Sequence, residues 1–236
     1  MNVNAASITD RLAGLADPGV AAVSGRFFKT GPGEYGEGDL FRGIRVPVLR
    51  KLCAEYPDIP LPVMSELLVS PFHEDRLLAL LMLVRRFGAA DTGVRAHIYG
   101  LYLASTRSIN NWDLVDLSAE HIVGRFLRDR ERTPIYRLAG SGYLWERRIA
   151  VMATFHYIKH GEYADTLALS ELLLDDSEVL IHKAAGWMLR EIGKRCPEEE
   201  EAFLQKHYRA MPRVMLRYAI ERFPEDRRQL YLKGLL

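Results

Sequence analysis

An all-α fold is what this sequence predicts, and three observations predict it. Apolar residues recur at helical spacing along almost the whole chain. Strand signals are nearly absent. The helical stretches are separated by Pro, Gly or Asp/Ser punctuation and follow one another in repeating pairs with short connections. Together these suggest a curved α-solenoid of HEAT-like antiparallel helix pairs, a single domain over residues 1–236, in which one helix of each pair lines a concave surface where partners bind. No repeat consensus can be read, so the assignment rests on helix spacing, and an ordinary helical bundle is the competing architecture.

Taken in order, "VPVLRKLCAEY" (46–56), "LPVMSELLVS" (61–70), "HEDRLLALLMLVRRFG" (73–88) and "DTGVRAHIYGLYLAST" (91–106) read as successive amphipathic helices. The next, "WDLVDLSAEHIVGRFL" (112–127), begins where Asn110 or Asn111 can cap it and Asp113 suits its first turn. The pattern continues through residues 134–141, 144–161, 163–176, 177–195, 197–208 and 212–223 to a last short helix. One segment interrupts it. "FFKTGPGEYGEGDLFRGI" (27–44) carries five glycines and reads as a loop, at about 30–43. It lacks the Gly-Lys-Ser/Thr ending of a phosphate-cradling loop, which argues against nucleotide binding there.

Composition narrows the class. Hydrophobic residues make up 48% and charged residues 27%, as in ordinary globular proteins. Cys53 and Cys196 form no ligand or disulfide spacing, which fits a reducing cytosol, so a cytoplasmic protein is expected. The N-terminus has no basic segment followed by an apolar core, so no signal peptide is expected, and no apolar run is long enough for a membrane span. Net charge is only +1, but it is unevenly spread. Seven arginines lie between Arg125 and Arg148, eight basic residues between Lys206 and Lys233, and acidic runs sit elsewhere at 175–178 and 198–201. A basic face that meets phosphates is one reading; arginines scattered over solvated helix faces are the other.

Few residues offer chemistry. His156 and His160 have the i, i+4 spacing of two zinc ligands, but Tyr157 stands where a metalloprotease motif needs its glutamate, so no metal site is expected. No G-x-S-x-G elbow presents a nucleophilic serine. The three tryptophans, Trp112, Trp145 and Trp187, each have polar company on their helices, although large aromatics more often fill core. Asp116 is the harder residue to dismiss. At 100° per residue it shares a broad apolar stripe with Trp112, Val115, Ala119, Ile122, Val123 and Phe126. A buried carboxylate is costly, so it either pairs with a cation such as Arg148 or faces a cleft.

The ordered set "INNWDLVD", "YLWERRIAV" and "HKAAGWMLREIGK" resembles DNA alkylation-repair glycosylases of the AlkD type. The N-terminal "RFFKTGPGEYGEGDLFRGIRVPVLRKL" and C-terminal "MPRVMLRYAIERF" look like the ends of the same family, so the resemblance spans essentially the whole chain. It implies helix pairs wrapped on duplex DNA that hydrolyse the N-glycosidic bond of N3- or N7-alkylated purines without flipping the base into a pocket. Matched motif by motif, the catalytic aspartate falls on Asp116, the two cleft tryptophans on Trp112 and Trp187, and the cleft arginine on Arg148. Lys183 and Arg190, which flank Trp187, are further candidates for DNA contact, and Trp145 is taken as structural. Where the family's type member has a cleft tyrosine, this chain carries Phe27, which has no hydroxyl to offer DNA.

The implied partner is double-stranded DNA carrying alkylated purines, with no metal, cofactor or membrane; a monomer suffices to wrap DNA and is the expected state. The competing function is a non-catalytic HEAT-like scaffold for structured DNA or a protein, with Asp116 and Arg148 as a structural ion pair. A metal-dependent hydrolase using His156 and His160 is the third reading.

Overall fold

The computed structural model describes residues 4–236, which fold as an all-helical, α-solenoid-like protein. Among the described residues no strand forms, only an isolated bridge between Leu40 and Phe72. None of the described helices is long and apolar enough to cross a membrane. The chain divides into two compact units, the described residues up to Ile122 and then Val123–Leu236.

The N-terminal stretch read for a signal peptide begins outside the described residues. From Asn4 onward it forms two further helices, α1 (Ala5–Ala13) and α2 (Pro18–Phe27). Local chemistry starts both. Asn4 and Ser7 make a reciprocal capping box, and Asp17 caps α2 ahead of a first-position proline. In α1, Ile8 and Leu12 stand one turn apart and are buried as a short apolar stripe, whereas nothing in α2 is buried.

Residues 28–45 form no helix, as the glycines suggest. Gly43 sits at φ 82°, and a Cβ there would lie 2.1 Å from the Asp17 carbonyl oxygen, so only glycine is accommodated. The unit then builds α3 (Val46–Glu55), α4 (Leu61–Leu68), α5 (His73–Ala89), α6 (Thr92–Ala104) and the short α7 (Trp112–Asp116). Helix α5 is its centre and packs on α3, α4, α6 and α7. Every residue from His73 to Leu83 is buried, so this helix is enclosed on all sides over its first three turns.

The expected helix over 112–127 is not continuous. After α7 the chain turns at Leu117–Ser118, passes through a π-helical stretch Glu120–Gly124, and resumes as α8 (Arg125–Leu127). Two contacts explain the break. The Ser118 hydroxyl donates to the Leu114 carbonyl at 2.5 Å, competing for backbone groups, and meets the buried Tyr102 hydroxyl at 2.9 Å. Gly124 is pressed so close to the next helical hairpin that a Cβ would stand 2.1 Å from the Ala153 carbonyl oxygen.

The second unit continues with α9 (Thr133–Ala139), α10 (Leu144–Ala153), α11 (Phe155–Ile158), α12 (Ala164–Leu172), α13 (Val179–Gly193), α14 (Pro197–His207), α15 (Arg213–Ala219) and α16 (Glu225–Lys233). The expected helix over 144–161 is interrupted at Thr154, whose hydroxyl donates to the Val151 carbonyl at 2.7 Å. Helix α13 is the centre of this unit and packs on α10, α11, α12, α14 and α15. Its Gly186 lets α15 approach closely, since a Cβ would be 2.4 Å from the Met215 carbonyl oxygen.

Candidate functional site

The residues singled out in the sequence fall into two sets, one in each compact unit. Phe27, Trp112 and Asp116 belong to the first; Arg148, Lys183, Trp187 and Arg190 belong to the second.

In the first unit, Trp112 opens α7. Asn111 is the N-cap, fully buried, and its side-chain oxygen accepts from the Trp112 backbone N–H at 2.9 Å. Trp112 and Asp116 stand one turn apart and are both half-buried, whereas Asp113, Leu114 and Val115 between them are buried. The two therefore share the accessible side of a helix otherwise embedded in the unit. The carboxylate of Asp116 is close enough to act on Tyr102, whose hydroxyl is held above the ordinary phenol value by burial and, secondarily, by that charge.

The Trp112 ring does not stand alone. It stacks on Phe28 at 5.3 Å between centroids and meets the edge of Phe27 at 5.9 Å. Phe28 in turn stacks on Phe41 at 5.2 Å, and Phe41 on the imidazole of His73 at 4.6 Å. Phe27 itself is 62% exposed, open to a partner.

Beneath this stack lies a buried polar network that sequence reasoning missed. His73 is 2% exposed, with Nε2 2.8 Å from Asp113 and Nδ1 3.3 Å from Asp39. Asp39 also faces Arg76 at 2.8 Å and accepts from the Asn110 amide at 2.8 Å. Burial works against the imidazolium, but the hydrogen bonds to Asp113 and Asp39 prevail and raise His73 to about 9. Burial likewise opposes the Asp39 carboxylate; His73, Arg76 and Asn110 outweigh it and hold its pKa below the usual value. Next along α5, the Glu74 carboxylate accepts from the backbone N–H groups of Arg42, Gly43 and Ile44 at 2.9, 2.8 and 3.2 Å. Asp75 takes the Arg42 guanidinium through both its oxygens, at 2.6 and 2.9 Å. The sequence signal for this network was "HEDR" at 73–76: four polar residues opening a helix whose continuation is apolar all round must be buried with it.

In the second unit, Lys183, Trp187 and Arg190 follow one another along one face of α13 and are all half-buried, between residues that are buried. The Trp187 indole N–H donates to Glu191 at 3.3 Å, and its ring lies 6.1 Å from Phe155. Arg190 pairs with Glu221, and Lys183 makes no ion pair among the described residues. Arg148, on α10, is 5% exposed and donates to the Leu180 carbonyl, at the start of α13, at 2.6 Å. Trp145 is 2% exposed, as a packing residue should be.

The uneven charge seen in the sequence is partly neutralised on the spot. Arg128 and Arg132 pair with Glu162, Arg132 also with Asp165, and Arg147 with Asp176 at 2.6 Å. The His160 imidazole is hydrogen-bonded to the His156 carbonyl at 2.7 Å, and among the described residues no three His, Cys, Asp or Glu side chains gather as metal ligands.

The chain as a whole has counterparts among known proteins. The sequence profile of the family described as "DNA alkylation repair enzyme" matches residues 8–223. A solved structure described as "Predicted DNA alkylation repair enzyme from Enterococcus faecalis" superposes with a TM-score of 0.67, covering 89% of this chain and 97% of that one at 16% identity, a likeness that shows the fold. No protein of curated function matches the chain. With the profile covering nearly its full length, this chain belongs to the DNA alkylation repair enzyme family.

Proposed function

We propose that this protein is a monofunctional alkylpurine DNA glycosylase, which hydrolyses the N-glycosidic bond of N3- or N7-alkylated purines in duplex DNA and so opens base-excision repair. The observation that carries the reading is the disposition of α7, with Trp112 and Asp116 one turn apart on its accessible side and the residues between them buried.

The chemistry suits these groups. Alkylation at N3 or N7 makes the purine cationic and a good leaving group. As the bond lengthens, positive charge moves to C1′ and the ring oxygen, giving an oxocarbenium-like transition state. The Asp116 carboxylate stabilises that charge and positions or deprotonates the attacking water. The faces of Trp112 and Trp187 attract cationic groups, each by roughly 0.5–2 kcal/mol. Arg148 holds a backbone phosphate, Lys183 and Arg190 add backbone contacts, and Phe27 supplies an apolar contact to the DNA. Because the adduct brings its own lability, no base pocket, metal or cofactor is required, and a monomer of HEAT-like repeats suffices. No lysine is assigned to catalysis, so no lyase step is expected. Neutral lesions should be poor substrates.

The test is single-turnover release of 7-methylguanine from a defined duplex in the presence of EDTA, comparing wild type with Asp116→Asn. Release by the wild type that collapses in the variant supports a metal-free glycosylase with its carboxylate at Asp116. Equal release removes Asp116 from catalysis. A folded wild type that releases neither 7-methylguanine nor 3-methyladenine is a DNA- or protein-binding scaffold instead.

A further inference from the structure

The polar network under α7 does more than fill space. Helix α7 spans only five residues, too few to hold a helical conformation unaided. Trp112 and Asp116 of the proposed site are both on it, and its orientation depends on what grips its first turn. That grip is His73. One ring nitrogen faces Asp113, the residue after Trp112, and the other faces Asp39 in the glycine-rich loop. A neutral imidazole has one donor and one acceptor, and only the imidazolium donates on both sides to two carboxylates. The charged groups that face it are Asp113 from α7, Asp39 from the loop and Arg76 from α5 itself. Above and beside the ring are Phe41 at 4.6 Å and Phe28 at 4.9 Å, aromatic faces that favour a cation. Phe28 is also the ring on which Trp112 stacks.

We propose that His73 is a positioning residue for the reaction: by bridging Asp39 and Asp113 and backing the Phe28–Trp112 stack, it fixes the indole of Trp112 and the carboxylate of Asp116. At 2% exposure it touches neither DNA nor the reacting atoms, so it acts through α7 and the Phe28 ring. The catalytic consequence rests on the glycosylase reading; the structural link from His73 to Trp112 does not.

The experiment uses full-length protein labelled with 5-fluorotryptophan, whose three tryptophans give three ¹⁹F resonances, with Trp112 assigned by Trp112→Phe. In His73→Phe, which keeps an aromatic ring and removes both hydrogen bonds, the Trp112 resonance shifts or broadens while those of Trp145 and Trp187 stay. Single-turnover base release falls by up to roughly a hundredfold, as expected when reacting groups are misplaced by about an ångström, with duplex affinity unchanged. His73→Gln, able to donate to one carboxylate, recovers part of both signals. In the wild type the Trp112 resonance moves with pH around a midpoint of about 9, and this movement is lost in His73→Phe.

A folded His73→Phe protein with an unmoved Trp112 resonance and wild-type release overturns the proposal. If that variant does not fold, the wild-type titration decides: a Trp112 resonance that stays still across this pH range, in protein shown to be folded by circular dichroism, overturns it equally. Should the wild type release no alkylated base, the glycosylase reading fails while the ¹⁹F signals still report whether His73 sets Trp112.

Discussion

Helices α7 and α13 carry most of the candidate residues and hold them in opposite ways. Helix α13 has fifteen residues, and its own regularity places Lys183, Trp187 and Arg190 on one face while the residues between them are buried against neighbouring helices. Helix α7 has five, ends in a side-chain-induced turn, and takes its position from Asn111 at its cap and from two distant residues, His73 bound to Asp113 and Phe28 beneath Trp112. A long helix distributes the task of positioning over many apolar contacts. A short one concentrates it in a few polar ones, and each of those is correspondingly more costly to lose.

Four changes would break or sharpen that contrast. The largest effect is expected from Asp116→Asn, which removes the charge but keeps the shape. Single-turnover release should fall by roughly a hundredfold to a thousandfold, the scale of losing one electrostatic stabiliser, with Tm unchanged. A matching fall in Tm would mean that the carboxylate belongs to the packing of α7 rather than to chemistry.

Acidity probes the α7 anchor next. Because His73 is raised from 6.5 to about 9 in the folded protein, its contribution is fully present below pH 6.5 and is lost as pH rises through 9, at most roughly 3 kcal/mol. The Asp39 carboxylate is shifted the other way, so its contribution is present above 3.8 and is lost as pH falls below that value. Urea unfolding should therefore find the anchor strongest between pH 3.8 and 6.5, and a stability that does not decline from pH 6.5 to 9 would show that His73 is neutral in the fold.

Helix α13 answers to packing. Gly186→Ala places a methyl group 2.4 Å from the Met215 carbonyl oxygen, so α15 must move, at a cost of about 1–3 kcal/mol visible as a lower Tm with no dependence on pH. Were α13 instead tolerant of the extra carbon, its apolar contacts would be softer than the polar ones that hold α7.

The smallest effect is on DNA affinity. Arg148→Ala should weaken duplex binding and lower the slope of log K against log salt by about one phosphate's worth. An unchanged slope with a lowered Tm would assign the buried Arg148 to its bond with the Leu180 carbonyl and not to a phosphate.

Much of the architecture was legible because it rests on local rules. Apolar periodicity located α3–α6 and α12–α15 to within a few residues, and proline at the starts of α3, α4, α14 and α15 and short polar stretches elsewhere marked the boundaries. Where a helix broke, at Ser118 and Thr154, hydroxyl groups bonded to backbone carbonyls interrupted it, and apolar spacing carries no trace of that. Helices α1 and α2 are short and started by side-chain caps; α1 carries only the Ile8–Leu12 pair as a stripe, and α2 buries nothing.

The candidate residues divide along the same line. By itself, the sequence determined the helical class, the loop at about 30–43 and the i, i+4 spacing of Trp112 with Asp116, since each follows from local rules along the chain. Only the tertiary structure decided that Asp113, which looks like an ordinary first-turn acid, is buried against His73, and that Phe28 and Phe41 support Trp112. Those partners lie tens of residues apart, and what brings them together is the burial of α5 on every side. Four polar residues entered the interior with it, and each then had to find its hydrogen bonds there.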